Sequence, residues 1–227
     1  MKPYKWEEIR NFFINQLTNS KHIMTFGTIG SCNVEHDLDI IITKTPSSKI
    51  SDFYREIHNL FDLLNNYLSK KYSARVICFS GYEPEFLQLS NFKEKDLAIQ
   101  LMTYVSYSQI YHDWFWAIFP NEDIKNILIK NYNCLFGSVA ELFSLEFNSK
   151  EYNPLYIYLM MYNRVNSNYE EDFLIKVMSH YFDFLYRKRL GFKTPIPKSK
   201  KDVKKYFYKL CDIADSHVEN KFIKNGR

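Results

Sequence analysis

Two aspartates separated by one residue, Asp37 and Asp39, have the residue type and spacing that best fit ligand-binding chemistry in this chain. An apolar run, Ile40-Ile41-Ile42-Thr43, follows them and predicts a β-strand. Because successive strand side chains point to opposite faces, we expect both carboxylates on one face and Leu38 on the other. Close like charges repel unless a cation lies between them, and hard divalent ions prefer oxygen ligands. The pair therefore predicts a Mg²⁺ or Mn²⁺ site.

A turn of small residues precedes this strand. The residues Ile23-Met24-Thr25-Phe26 predict a short strand that ends at Gly27. Glycine and small hydroxyl residues let backbone N–H groups approach an anionic ligand, so the turn is a candidate phosphate-binding loop. Two positions of the turn fit the sequence: Gly27-Thr28 leaves eight residues before Asp37, and Gly30-Ser31 leaves five.

Together, the small-residue turn and the Asp37-Leu38-Asp39 strand resemble the nucleotidyltransferase superfamily. This family has the fold of DNA polymerase beta and includes poly(A) and CCA-adding enzymes and small antibiotic and toxin nucleotidyltransferases. Its usual spacing favours Gly27-Thr28 as the turn, although threonine then replaces the usual serine. The resemblance implies transfer of an NMP from an NTP such as ATP to a hydroxyl acceptor. That acceptor would be an RNA or DNA end, a protein or a small molecule.

The resemblance implies roles for individual residues. Asp37 and Asp39 would be catalytic metal ligands, and the turn residues Gly27, Thr28, Gly30 and Ser31 would bind the nucleotide phosphates. The family also places a third carboxylate on a strand beside the strand of the two aspartates. That carboxylate helps to bind the catalytic metal and to activate the attacking hydroxyl.

A third carboxylate is harder to identify in this sequence. The segment Leu97 to Val105 predicts the neighbouring strand, in a hairpin with Glu85 to Leu89. The face opposite Leu97 carries Asp96, Ala98 and Gln100, and the best-matched central position is Ala98. Asp96 is the candidate ligand, and Glu83 and Glu85 are further candidates. The other interpretation is that Asp96 only begins a strand, which would give a catalytically inactive protein that binds nucleic acid or protein.

The two aspartates also have an interpretation without chemistry. Asp37 would be a turn residue before the strand, and Asp39 a charge that protects an edge strand from aggregation. The continuous run Ile40-Ile41-Ile42 argues against an edge strand, because β-branched residues without alternation suit a strand covered on both faces.

Hydrophobic residues make up 46% of the 227 residues, which is enough for a large core. We expect an α+β protein with a nucleotidyltransferase-like mixed sheet flanked by helices in residues 1–106 and an all-helical domain in residues 107–227. Helical periodicity covers 6–19, 51–70, 122–132, 138–147 and 201–217, with Ser51 as a cap, and 75–79 predicts a strand. No signal peptide or apolar run of ~18 residues is visible, so we expect a soluble, cytoplasmic protein without membrane contact.

Two basic features are candidate anion contacts. Arg164 interrupts an apolar helical pattern and could bind a triphosphate. The lysine-rich segment Lys198–Lys209 fits an anionic acceptor such as RNA, or alternatively a solvated helix face balanced by Asp202 and Asp212. His36, beside the aspartate pair, could orient a phosphate, but the favoured interpretation is an exposed loop residue.

Overall fold

A computed structural model describes residues 1–79, 91–104 and 130–144, together with residues 201, 202, 205, 208, 211 and 212. In chain order the elements are α1 (Trp6–Leu17), β1 (Ile23–Ile29), β2 (Asp37–Lys44), α2 (Ile50–Tyr72), β3 (Val76–Phe79), β4 (Leu97–Tyr104), β5 (Tyr132–Phe136) and α3 (Val139–Ser144). The expected α+β class with a mixed sheet is confirmed. In the described ranges, none of the helices combines the length and apolar character that a bilayer-spanning segment requires.

The five strands form one sheet in the order β3-β4-β2-β1-β5. β4 pairs in parallel with both β3 and β2, and β1 pairs in antiparallel fashion with both β2 and β5. The parallel pairing of β2 and β4 places the N-terminal ends of these two strands at the same end of the sheet. β2 has a hydrogen-bonded neighbour on each side, so the edge-strand interpretation of Asp39 is wrong.

The helices α1 and α2 pack against one face of the sheet. The apolar stripe predicted for α2 is buried, and the Phe13 ring of α1 lies 4.7 Å from Phe26 of β1 and 6.0 Å from Phe61 of α2. Helix α2 begins at Ile50, whose side chain is buried, and the preceding Lys49 makes no side-chain cap. The prediction that Ser51 caps this helix is wrong, because Ser51 lies inside the first turn and is buried.

β2 is covered on both faces along most of its length. Leu38, Ile40 and Ile42 belong to the core beneath the helices, and Ile41 on the opposite face is equally inaccessible to solvent. On that opposite face the Thr43 hydroxyl lies 2.6 Å from the Thr25 hydroxyl of β1. The run of β-branched residues therefore correctly predicted a central strand.

The structure differs from the sequence-based expectations at β1 and β5. β1 does not end at Gly27 but continues to Ile29. β5 lies in the range assigned to the helical domain, yet it pairs with β1, so the sheet includes residues beyond position 106. α3 confirms a helix within 138–147. Most of the other helices predicted after residue 106, and the hairpin arm 85–89, lie outside the described residues.

The six described residues near the C-terminus have helical geometry. The Tyr208 hydroxyl lies 2.7 Å from His58 Nδ1 on α2, and the Arg55 guanidinium lies 5.0 Å from the Tyr208 ring centroid. Cys211 is buried in the same core as α1 and α2. Tyr208, within the lysine-rich segment, therefore packs against α2.

Candidate functional site

Asp37 and Asp39 occupy the first and third positions of β2. Both side chains are partly exposed, whereas the five residues after Asp39 are buried. By strand alternation the two carboxylates lie on the same face as Ile41, which is the face opposite α1 and α2. Two carboxylates are therefore accessible to solvent at the start of β2, while the rest of the strand is buried.

The strand beside them carries no carboxylate at the matching positions. In the parallel pairing of β2 with β4, Asp37 is opposite Ala98 and Asp39 is opposite Gln100. Both β4 residues are buried, with exposed fractions of 2% for Ala98 and 7% for Gln100. Ala98, the position that best matched the expected third carboxylate, therefore pairs with Asp37.

The loop from Gly30 to His36 joins β1 to β2 and presents polar groups at the same end of the sheet. Ser31, Asn33 and His36 are exposed, while Val34 is buried and anchors the loop. The Asn33 side chain accepts a hydrogen bond of 3.1 Å from the Glu35 N–H, and the Asn33 carbonyl accepts one of 3.1 Å from the His36 N–H. These bonds form a compact turn directly before Asp37.

The two candidate glycines have different roles. Gly27 lies within β1, where an added Cβ would be 2.5 Å from Tyr132 Cζ and 2.6 Å from the Asn133 carbonyl oxygen of β5. Gly30 ends the strand with a φ of +76°, and an added Cβ would meet nothing within 4 Å. The chain therefore turns at Gly30-Ser31 and not at Gly27-Thr28, since Gly27 lies inside β1. Close packing against β5, and not a turn, explains why position 27 is a glycine.

Thr28 also belongs to the strand. Its side chain is buried, and its hydroxyl lies 3.1 Å from the sulfur of Cys32. The amide nitrogen of Asn133 lies 3.7 Å from the same sulfur. The Cys32 sulfur thus links the start of the loop to Thr28 of β1 and to Asn133 of β5. Of the four residues expected to bind phosphate, Gly30 and Ser31 are exposed in the loop before Asp37.

Asp96 is held in a separate network. Its side chain is 1% exposed, and it accepts hydrogen bonds from the Arg75 guanidinium at 2.6 and 3.0 Å. The backbone N–H groups of Arg75 and Lys93 donate two more, at 2.9 and 3.1 Å. Burial opposes ionisation of this carboxyl, but the hydrogen bonds from Arg75 and Lys93 outweigh it and hold its pKa below the ordinary value.

Asp96 therefore forms a structural ion pair with Arg75 on the β3 side of β4. No group of three or more histidine, cysteine, aspartate or glutamate side chains in a metal-binding arrangement occurs among the described residues. The Gly30-Ser31 loop thus lies at the same end of the sheet as Asp37 and Asp39. The Asp96 side chain is instead bound to Arg75. Glu83, Glu85 and Arg164 lie outside the described residues.

One residue at the site received no role from the sequence. Gln100 faces Asp39 from β4 and is buried, so its polar side chain lies directly beside the pair of aspartates. Its signal in the sequence is the single amide in the otherwise apolar run Leu97 to Met102. An amide cannot carry the charge of a third carboxylate, but its oxygen and nitrogen can accept and donate hydrogen bonds.

Comparison with known proteins found no match. No protein-family model matches the chain, and no curated protein matches its sequence. With the turn at Gly30-Ser31, five residues precede Asp37 and the spacing is shorter than the one expected from nucleotidyltransferases. The resemblance therefore rests mainly on the Asp37-Leu38-Asp39 strand.

Proposed function

We propose that this protein is a Mg²⁺-dependent nucleotidyltransferase-like protein that transfers an NMP from an NTP to a hydroxyl acceptor. The observation that carries the proposal is the position of Asp37 and Asp39 on one face at the partly exposed start of a central strand. A loop of exposed small and polar residues, which includes Gly30 and Ser31, precedes them. The pairing of an anion-binding loop with adjacent carboxylates suits a metal-bound triphosphate.

The donor set fits a hard divalent ion. Asp37 and Asp39 offer carboxylate oxygens, the ligands that Mg²⁺ prefers, and their partial exposure leaves room for water and substrate phosphates. The sulfur of Cys32, in the same loop, contacts Thr28 and Asn133. Bound Mg²⁺ would neutralise phosphate charge and favour ionisation of the attacking hydroxyl.

The residues of the chain would then act mainly by positioning. The two aspartates would hold the divalent ion, and through it the substrate phosphates, at the start of β2. The Ser31 hydroxyl would donate a hydrogen bond to a phosphate oxygen. The buried β2–β4 pair fixes the carboxylates on a rigid strand, which favours an in-line arrangement of the reacting groups. Exposed Lys201 and Lys205 support, as a further part of the proposal, an anionic acceptor such as RNA.

A second candidate function is a catalytically inactive protein of the same fold that binds nucleic acid or another protein. The observation that favours it is the pairing of Ala98 and Gln100, neither of them acidic, with Asp37 and Asp39. Such a protein could bind a nucleotide without transferring it, because the group that would help to activate the acceptor is missing from β4.

A transfer assay separates the two functions. The protein is incubated with each α-labelled NTP and Mg²⁺ or Mn²⁺, in the presence of single-stranded RNA, DNA or total cell protein, and label is followed into each fraction. We expect transfer by the wild type, loss in Asp39→Asn, and full activity in Asp52→Asn, which removes an exposed surface carboxylate paired with Arg55. Nucleotide binding without transfer to any acceptor would favour the inactive protein.

A further inference from the structure

The first four residues form an arm that lies across the starts of two strands. The Lys2 N–H donates a hydrogen bond of 2.9 Å to the Glu35 carboxylate, in the loop before β2. The Lys2 ammonium donates to the carbonyl oxygen of Asp96, directly before β4. The Tyr4 hydroxyl donates a hydrogen bond of 2.8 Å to the carbonyl oxygen of Lys95. One short segment thus contacts both loops at the acidic end of the sheet.

The arm is anchored as part of the core. Lys2 is only 8% exposed, and its ammonium lies 4.7 Å from the centroid of the Phe92 ring. Tyr4 is 3% exposed, and its ring lies 5.6 Å from that of Tyr72 on α2. Because a buried ammonium loses hydration, its bond to the Asp96 carbonyl is costly to break, and the arm therefore has a well-defined position.

The contact with Glu35 is the one that reaches the candidate site. Glu35 lies two residues before Asp37, and its side chain is exposed at the surface except for this bond to the arm. The same arm is bonded to Asp96, which the Arg75 ion pair fixes beside β3 and β4. The loop before β2 is thereby tied to a rigid point one residue before the neighbouring strand.

We propose that residues 1–4 position the loop of residues 33–36, and with it Asp37, for metal binding, and that Glu35 is a positioning residue and not a ligand. The inference rests on the proposed metal site at Asp37 and Asp39. Glu35 acts in this proposal only by accepting the hydrogen bond from the Lys2 N–H. An uncharged acceptor at position 35 should therefore hold the loop equally well.

Substitutions at Glu35 test this directly. Glu35→Ala removes the acceptor, and Glu35→Gln keeps a carbonyl oxygen for the Lys2 N–H. Glu94→Gln is a matched control for the loss of one exposed carboxylate: it weakens the ion pair with the Met1 amine and leaves the bond between Lys2 and Glu35 in place. Tyr4→Phe releases the arm at its other end and keeps the aromatic ring. The readouts on the full chain are hydrogen exchange of the peptide covering 33–38, the affinity for Mn²⁺, and the melting temperature.

For Glu35→Ala we expect about 3- to 10-fold faster exchange in 33–38 and a similarly weaker Mn²⁺ affinity, the change that loss of one hydrogen bond produces. Glu35→Gln and Glu94→Gln should resemble the wild type. Tyr4→Phe should shift exchange and Mn²⁺ affinity in the same direction as Glu35→Ala, and all four variants should melt close to the wild type.

Two results would overturn the proposal: unchanged exchange and affinity in Glu35→Ala, or equal weakening in Glu35→Gln, which would make the charge of Glu35 the important property. If the wild type binds no Mn²⁺, the proposed function fails. Exchange alone then decides whether the arm holds the loop.

Discussion

An aspartate lies at the start of each of two neighbouring strands, β2 and β4, and the two aspartates have opposite surroundings. Asp96, one residue before β4, is almost fully buried and accepts four hydrogen bonds from Arg75 and Lys93. Asp37, the first residue of β2, is partly exposed, and within the described ranges no hydrogen bond or ion pair engages its carboxylate. The same residue type is therefore structural beside Arg75, whereas at the start of β2 it is partly open to solvent.

The first prediction concerns the buried member of this comparison. Asp96→Asn should destabilise the protein by about 3 kcal/mol, because it leaves the Arg75 guanidinium without its charged partner. Asp37→Asn should change the free energy of unfolding by less than about 0.5 kcal/mol. Urea denaturation of both variants measures the two values. Equal losses in the two variants would show that the contrast between the strands is wrong.

The second prediction extends the contrast to the two glycines. Gly27→Ala should cost about 2 kcal/mol, because the added Cβ collides with Tyr132 and with the backbone oxygen of Asn133. Gly30→Ala meets open space and should cost only about 1 kcal/mol, from its positive φ. Thermal or urea denaturation gives both values. A stable Gly27→Ala protein that has lost only nucleotide affinity would instead support a phosphate-binding role for Gly27.

These residues show what local sequence patterns can and cannot predict. The apolar stripe of α2 and the run Ile40-Ile41-Ile42 carry their own periodicity, so the helix and the central strand were predicted correctly. The need for glycine at position 27 arises from Tyr132 on β5, and the role of Asp96 arises from Arg75. Contacts between residues far apart in the chain leave no local pattern, which is why the turn was placed too early.

The third prediction places a carboxylate on β4 opposite Asp37. Ala98→Asp should destabilise the protein by about 1–2 kcal/mol without divalent ions, because position 98 is buried and pairs with Asp37. About 10 mM Mg²⁺ should restore part of this loss by binding to the folded state. The recovery should disappear when Asp37→Asn is added. An identical melting temperature of Ala98→Asp with and without Mg²⁺ would argue against a metal site between the strands.

The fourth and smallest effect is the pH dependence of the Asp96 ion pair. Hydrogen bonds hold the pKa of Asp96 below its ordinary value in the folded state, so its stabilisation is complete above the unfolded pKa of about 4 and is lost as the pH falls through the folded pKa. The stability difference between the wild type and Asp96→Asn should be constant near neutral pH and decrease below about pH 4. Urea midpoints across this range measure it. A stability difference that stays unchanged in acid would show that the ionised form of Asp96 does not stabilise the fold.

The most direct test of the proposed function is calorimetric titration of each NTP, with Mg²⁺ or Mn²⁺ and without metal. The proteins to compare are the wild type, the double variant Asp37→Asn/Asp39→Asn, and the surface control Asp52→Asn. We predict metal-dependent nucleotide binding by the wild type and the control, and none by the double variant. Absence of binding in the wild type, or equal binding in the double variant, would contradict a metal-nucleotide site at the start of β2.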